Sequence, residues 1–306
     1  MLKDLYVEMT LYQERMHRKS KKKFRDYLHT KAQELNLPYQ IVPESWFSKN
    51  VFIGSIDTAE YILSAHYDTP PRMPPFLVKN VITYNIIIMA MIVVLIGLSI
   101  IFSIHPFLTS LIIFLFVGYN FGFPAISNKY NLNDNTSGVL TLLYLMQRIK
   151  TPKVAFVFFD NEEKGLFGSL GFARYLRKKK LNYQLRKYIN FDCVGRGNVF
   201  SLDHFNRPQL ALRIKSVFDR LQITGYECQV RKARARELSD HFAFIKNSHV
   251  GIFALKNHNN KLVINDIHSH RDRQIDLNNI FILSKVIETF INQEGGNNGT
   301  APQKTQ

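Results

Sequence analysis

Apolar and polar residues follow three rhythms along this chain, and each predicts a different kind of element. From Leu2 to about Leu35, charged and apolar residues alternate at helical spacing, which predicts one or two amphipathic helices. Short β-rich apolar runs recur at Tyr61–Tyr67 (YILSAHY), Val154–Phe159 (VAFVFF), Tyr188–Phe191 (YINF) and Val250–Leu255 (VGIFAL). Helical patterns cover Ser137–Ile149, Gly165–Leu176, Pro208–Leu221 and Leu277–Asn292. Nearly continuous apolar strands alternating with helices predict an α/β fold: a mostly parallel mixed sheet with helices on both faces.

The third rhythm is no rhythm at all. Val81–Ile104 is a run of 24 apolar or mildly polar residues. As a helix it would be about 36 Å long, enough for a hydrocarbon core of about 30 Å. His105-Pro106 then breaks the ladder, and Phe107–Phe123 adds a shorter apolar run of 17 residues. The pair reads as a two-helix transmembrane hairpin interrupting the sheet domain; the alternative is a helical hairpin buried in a large core. The expected organisation is therefore one domain built from residues 1–80 and 127–293, a hairpin insert over 81–126, and a disordered tail over 294–306 (EGGNNGTAPQKTQ).

Charge sharpens this division. Forty Lys and Arg against 24 Asp and Glu leave a net charge of +16, yet the 49 residues between Lys79 and Lys129 carry no charge. Such an excess calls for nucleic acid or an anionic lipid surface as partner. The basic runs, Arg15–Arg25, Arg177–Lys180 and Arg231–Arg236, belong to no nucleic-acid module and lack aromatic interleaving, so nucleic acid is disfavoured. Each run alone also reads as a solvated face; beside an apolar insert, a lipid bilayer with anionic head groups is the functional reading. The first 30 residues lack an apolar stretch of signal-peptide length, so export is not expected. Arg72, Lys79 and Lys129 flank the open end of the hairpin, which predicts a cell-membrane protein with its domain on the cytoplasmic side. Cys193 and Cys228 as free thiols suit that compartment.

Candidate chemistry sits where the apolar runs end, the place where α/β sheets bind ligands. In Ala65-His66-Tyr67-Asp68-Thr69, alternation puts His66 and Asp68 on one face, so that the carboxylate can steady the imidazole as it does for metal ligands. Asp134 lies in Asn133–Gly138 (NDNTSG), just before an apolar helix, where an N-cap is the plainer role. Glu162 and Glu163 follow a strongly apolar strand and point in different directions, so one can bind metal while the other carries a proton. Asp192 ends the run Tyr188–Phe191. In Ile267–Asp272 (IHSHRD), His268 and His270 are both open as ligands. Together these supply two histidines, three carboxylates and a spare glutamate, the inventory of a two-metal hydrolase without the thiolates of structural zinc.

In order and content, these motifs resemble the M28 zinc metallopeptidases of the aminopeptidase Y/S type. The matching pieces are AHYDT (65–69), NDNTSGV (133–139), FFDNEEKGLFGS (158–169), NFDCVG (190–195), SDHFAF (239–244) and IHSHRD (267–272). The resemblance implies a zinc aminopeptidase or phosphorylase-hydrolase-like fold and two Zn2+ ions, with Mn2+ or Co2+ also suited to the ligands. His66 and Asp192 would hold one ion, Glu163 and His268 the other, and Asp134 would bridge them. Glu162 would be general base and acid, and Asp68 would orient His66. His268 is preferred over His270 because the family's late motif sets a histidine four residues before an aspartate, here Asp272. Asp240 and His241 fall where relatives place substrate-side residues. Family members carry a short link where this chain holds its hairpin, which bears on substrate access rather than on the ligands.

The implied activity is removal of N-terminal residues from a peptide substrate. Two other classes stand beside it. One is a non-catalytic membrane-anchored scaffold or receptor of the same fold, which the full set of competent side chains disfavours. The other is a glutaminyl cyclase or carboxypeptidase-type relative, distinguished by metal stoichiometry and substrate. No pattern in the chain points to an oligomeric state.

Overall fold

The computed structural model describes residues 1–43, 48–72, 81–120, 127–181, 183–233, 238–259, 261–264 and 266–296. Two helices lead, α1 (Leu2–Thr10) and α2 (Arg18–Glu34), as the amphipathic pattern predicts. Helix α2 turns Lys21, Phe24, Arg25, Leu28 and Ala32 inward, the three-and-four spacing of one helical face. Strands β1 (Tyr39–Pro43), β2 (Lys49–Ile53) and β3 (Tyr61–His66) follow. After the insert come α5 (Ser137–Arg148), β4 (Val154–Phe159), α6 (Phe167–Lys178), β5 (Lys187–Phe191) and β6 (Val199–His204). The chain continues through α7 (Gln209–Arg220), β7 (Glu227–Lys232), β8 (Ser248–His258), β9 (Lys261–Val263) and α8 (Leu277–Gly296).

The strands form a mixed sheet in the order β1-β2-β4-β3-β5-β8-β6-β7, with β9 paired to β8. Its centre, β4-β3-β5-β8, is parallel, while β2 and β6 run antiparallel to their central neighbours. Side-chain alternation gives the sheet two cores. Leu63, Ala65, Phe156, Phe158 and Ile189 pack toward α1, α2, α5, α7 and α8. Ile62, Ala155, Val157, Phe159 and Tyr188 pack toward Phe172 and Leu176 of α6 and toward Phe244. Because β3, β4 and β5 are parallel and in register, with His66 level with Phe159 and Ser64 with Asn190, their carboxyl ends open on one edge. The candidate residues at those ends are gathered there.

The insert forms helices α3 (Val81–Ile101) and α4 (Pro106–Asn120). Among the described residues no helix is long and apolar enough to cross a membrane, which corrects the expectation of a transmembrane pair. For α4 the physical reason is length. At 1.5 Å per residue, the 15 residues of α4 reach about 22 Å, short of a hydrocarbon core of about 30 Å. The buried-hairpin alternative also fails, because Ile100 is 74% exposed, Phe107 71% and Val93 65%. What stands, among the described residues, is an apolar helical hairpin with exposed outer side chains. Its flanking Lys79 and residues 121–126 lie outside the described residues.

Two further readings are corrected. The Arg15–Arg25 run is not one solvated or lipid-facing face: Arg15, Lys21 and Arg25 are buried, while Arg18, Lys19, Lys22 and Lys23 are exposed. Residues 294–296, assigned to the tail, continue α8, and Glu294 accepts a 2.6 Å hydrogen bond from the Tyr61 hydroxyl. The rest of the tail, 297–306, and residues 234–236 of the third basic run lie outside the described residues. Arg177–Lys180 is exposed, as a solvated face requires.

Candidate metal centre

The segment Leu132–Thr136 before α5 is a π-type turn in which Asp134 leaves helical backbone angles. Its side chains divide by direction. Asn133, Asn135 and Ser137 bind the chain leaving β5: Asn133 Oδ1 accepts from Gly195 N, Asn135 Nδ2 donates to Phe191 O, and Ser137 Oγ accepts from Val194 N. A Cβ on Gly138 would lie 2.4 Å from Phe191 O, so glycine is needed for this close approach. Asp134, between them, faces away into the site. It caps nothing; Thr136 is the N-cap of α5.

Asp134 is shared by two groups. Its Oδ1 lies 3.3 Å from His66 Nε2, which is itself 3.6 Å from Asp192 Oδ1. Its Oδ2 lies 2.8 Å from His268 Nε2, which is 3.4 Å from Glu163 Oε2. His66, Asp134 and Asp192 form one set of donors within 4.8 Å of one another, and Asp134, Glu163 and His268 form a second. Glu162 joins only a third set, with His66 and Glu163. The structure therefore brings together His66, Asp134, Glu162, Glu163, Asp192 and His268 in these three groups.

Asp68 stands beside His66 and also holds the backbone of the glutamate loop. Its Oδ1 is 3.6 Å from His66 Nδ1, beyond hydrogen-bond reach, while the Asp68 carbonyl is at 3.2 Å. The carboxylate also accepts the backbone N–H of Glu162 at 3.0 Å and of Glu163 at 3.3 Å. Asp272 was visible in the sequence only as a motif partner of His268; here it accepts the N–H of Asn133 at 2.8 Å and of Asp134 at 2.9 Å. Sequence reasoning missed Arg15, Lys21 and Asp160 as well, because basic runs and a lone acid after a strand carry no signal of burial.

Electrostatics mark this as a site built for cations. Burial drives the Glu162 carboxyl well above the usual range; the carboxylates of Glu163, Asp240 and Asp192 add to this against an opposing His66. Glu163 is raised likewise, by burial first and by Asp134. Burial pulls His66 down, but Glu162, Asp134 and Asp192 outweigh it and hold the imidazole well above its ordinary pKa. The fit to a metal is visible in unused donors. Glu163 Oε1 and Asp192 Oδ1 are buried and have no hydrogen-bond partner among the described residues. Imidazole nitrogens and carboxylate oxygens without thiolate are the ligands that catalytic zinc takes.

Asp240 and His241 occupy a 3₁₀ turn, Asp240–Phe244. Both oxygens of Asp240 lack a hydrogen-bond partner among the described residues, and burial with the nearby Asp68 and Asp192 pushes its pKa up to about 7. His241 lies over Gly251, where a Cβ would meet its Nδ1 at 2.6 Å, and stacks on Phe205. Burial lowers its pKa to about 3, so it packs as a neutral ring. His270 belongs to none of the three donor groups.

The sequence profile of peptidase family M28 matches residues 113–290, more than half of the chain. The chain belongs to peptidase family M28. The match includes Asp134, Glu162, Glu163, Asp192 and His268; His66 and Asp68 precede it and join the centre through the fold. Solved structures agree on architecture. The LapA aminopeptidase of Legionella pneumophila has a TM-score of 0.64 at 14% identity, over 94% of this chain and 69% of that one. A glutaminyl cyclase of Porphyromonas gingivalis has 0.65 at 18%, over 96% and 98%. A Zn-dependent exopeptidase of Parabacteroides distasonis has 0.62 at 14%, over 95% and 97%. At such identities the likeness concerns the fold. No curated protein matches the chain by sequence. The M28 assignment makes this a metallopeptidase-type hydrolase or a related zinc enzyme.

Proposed function

We propose that the chain is a di-zinc aminopeptidase that removes N-terminal residues from peptides. The observation that carries this reading is the double use of Asp134, whose two oxygens face separate His and carboxylate groups. His66, Asp134 and Asp192 would hold one ion and Asp134, Glu163 and His268 the other. Bound there, Zn2+ would polarise the scissile carbonyl and acidify the attacking water. Glu162 is left without a place in the two principal donor sets, and its raised pKa suits a proton carrier. Its carboxylate takes the proton of the attacking water and returns it to the leaving nitrogen. Surrounding acids offer a free substrate α-amine a counter-charge, which favours cleavage at the N-terminus.

The glutaminyl cyclase reading is supported by the near-complete mutual coverage with the cyclase from Porphyromonas gingivalis. A panel of aminoacyl chromophores, N-terminal glutaminyl peptides and C-terminally blocked peptides separates the two. Release of the N-terminal residue supports the aminopeptidase; ammonia release with cyclisation replaces it.

The apolar hairpin is read as a lipid anchor that seats the domain on the cytoplasmic face of the cell membrane. Its exposed Ile, Val, Met and Phe side chains, and the exposed Arg18, Lys19, Lys22 and Lys23, support this. Co-sedimentation with anionic vesicles tests it, and a protein that stays in the supernatant refutes it.

A further inference from the structure

Arg15 is wholly buried, a costly place for a guanidinium. Its Nε donates to Tyr67 O at 2.5 Å, between His66 and Asp68, and its own N–H donates to Thr69 Oγ1 at 3.1 Å. Another guanidinium nitrogen donates to Thr136 Oγ1 at 3.0 Å, two residues beyond Asp134. One side chain thus ties the loop after β3 to the turn before α5. Six residues on, the buried Lys21 Nζ donates to Asp160 Oδ1 at 2.5 Å and Asn161 Oδ1 at 2.6 Å, at the base of the loop bearing Glu162 and Glu163. Asp160 Oδ2 in turn accepts the N–H of Lys49, fixing that base to β2. A stretch of seven residues therefore touches all three loops that carry His66, Asp134 and Glu163.

We propose that Arg15–Lys21 is a strap that sets the spacing of the three loops, with Arg15 and Lys21 as positioning residues for the metal centre. The proposal rests on the metal-centre reading above. Its physical basis is charge as well as geometry. Burial lowers Arg15 to about 10 against the pull of Asp68 and Asp134, so it is a fixed cation behind the acids at neutral pH. Lys21 holds the base of the glutamate loop through Asp160 and Asn161. Asp68 in turn holds the Glu162 and Glu163 amides. A structural filler would be as well served by an apolar side chain, since buried charges seldom add net stability. Two buried cations behind the acids tie down the loops that carry them before any metal ion arrives.

The test uses the full-length chain, stripped of metal, with Zn2+ affinity read by competition against a chromophoric chelator. Four variants are compared: Arg15→Met, which removes the buried charge; Arg15→Lys, which keeps charge but loses the planar fork; Thr136→Val, which removes one hydroxyl at constant shape; and Lys21→Met/Asp160→Asn, which removes both buried charges together. The expected result is Zn2+ affinity reduced about tenfold or more, and kcat lowered with KM within about twofold. Arg15→Lys should retain part of what Arg15→Met loses. Zn2+ affinities within twofold of wild type in all folded variants would overturn the strap, whatever happens to thermal stability. If the larger changes prevent folding, Thr136→Val decides by the same criterion. A wild-type chain that takes up no Zn2+ overturns the metal-centre reading itself, and the strap's role with it.

Discussion

Asp272 holds the backbone of Asp134: its Oδ2 accepts the Asp134 N–H at 2.9 Å, and its Oδ1 accepts that of Asn133 at 2.8 Å. Asp68 grips Glu162 and Glu163 in the same way. Two buried acids that stand outside the donor sets thus fix the turns that present the ligands. Replacing Asp272 by Asn leaves one acceptor oxygen and turns an NH2 toward the other amide. Activity and Zn2+ affinity should both fall about 10- to 100-fold, measured by hydrolysis and chelator competition. Unchanged affinity would remove Asp272 from the site's support.

Glu162→Gln keeps size and shape but cannot carry a proton. Hydrolysis should drop by about 10²- to 10⁴-fold, with metal content by elemental analysis equal to wild type. Normal turnover would show that another group moves the proton.

The pH dependence of the metal-free chain follows from the raised carboxyls. Burial pushes Asp272, like Asp240, up to about 7 from ordinary values near 4. Such a group keeps its proton when folded and loses it when unfolded, so it costs stability as pH rises through that interval. His66 and His268, both raised despite burial, act in the same direction: their stabilisation is present below the unfolded imidazole pKa and is lost as pH passes the folded one. The metal-free protein should therefore melt at a lower temperature at pH 8 than at pH 5.5, and Zn2+ should restore the melting point at pH 8 with proton release. Calorimetry on chelator-treated protein checks the sign; a higher melting point at pH 8 would contradict it.

Pro71 and Ser127 form an isolated β-bridge at the root of the hairpin. Closing the chain there with a short linker in place of Val81–Phe123 should leave a folded domain that binds Zn2+ as wild type does. It should need no detergent and should no longer sediment with vesicles. An unfolded product would mean that the hairpin belongs to the core.

Much of the central fold was legible because its strands are simple. Val154–Phe159 is apolar at every position and forms β4 with those limits. The helices starting at Ser137 and Leu277 begin where the apolar period begins. The flanking strands were not legible, since β6 buries Ser201 and Asp203, with Arg231 of β7 donating to both, so polar residues occupy inward positions. The ligands could be read because acids and histidines ending apolar runs need a reason to be there. Their supports could not. Whether Arg15 points inward depends on where Tyr67 and Thr136 come together, a long-range contact that local pattern does not encode. The hairpin's apolar run was read as a transmembrane pair; its helical character was legible, but the break at Pro106 leaves α4 too short to span.

Zinc titration of metal-free wild type and Asp134→Ala, followed by calorimetry and elemental analysis, probes the shared carboxylate most directly. Two equivalents per wild-type chain, and loss of both in the variant, are predicted. One equivalent in the wild type, or two retained without Asp134, would contradict the account.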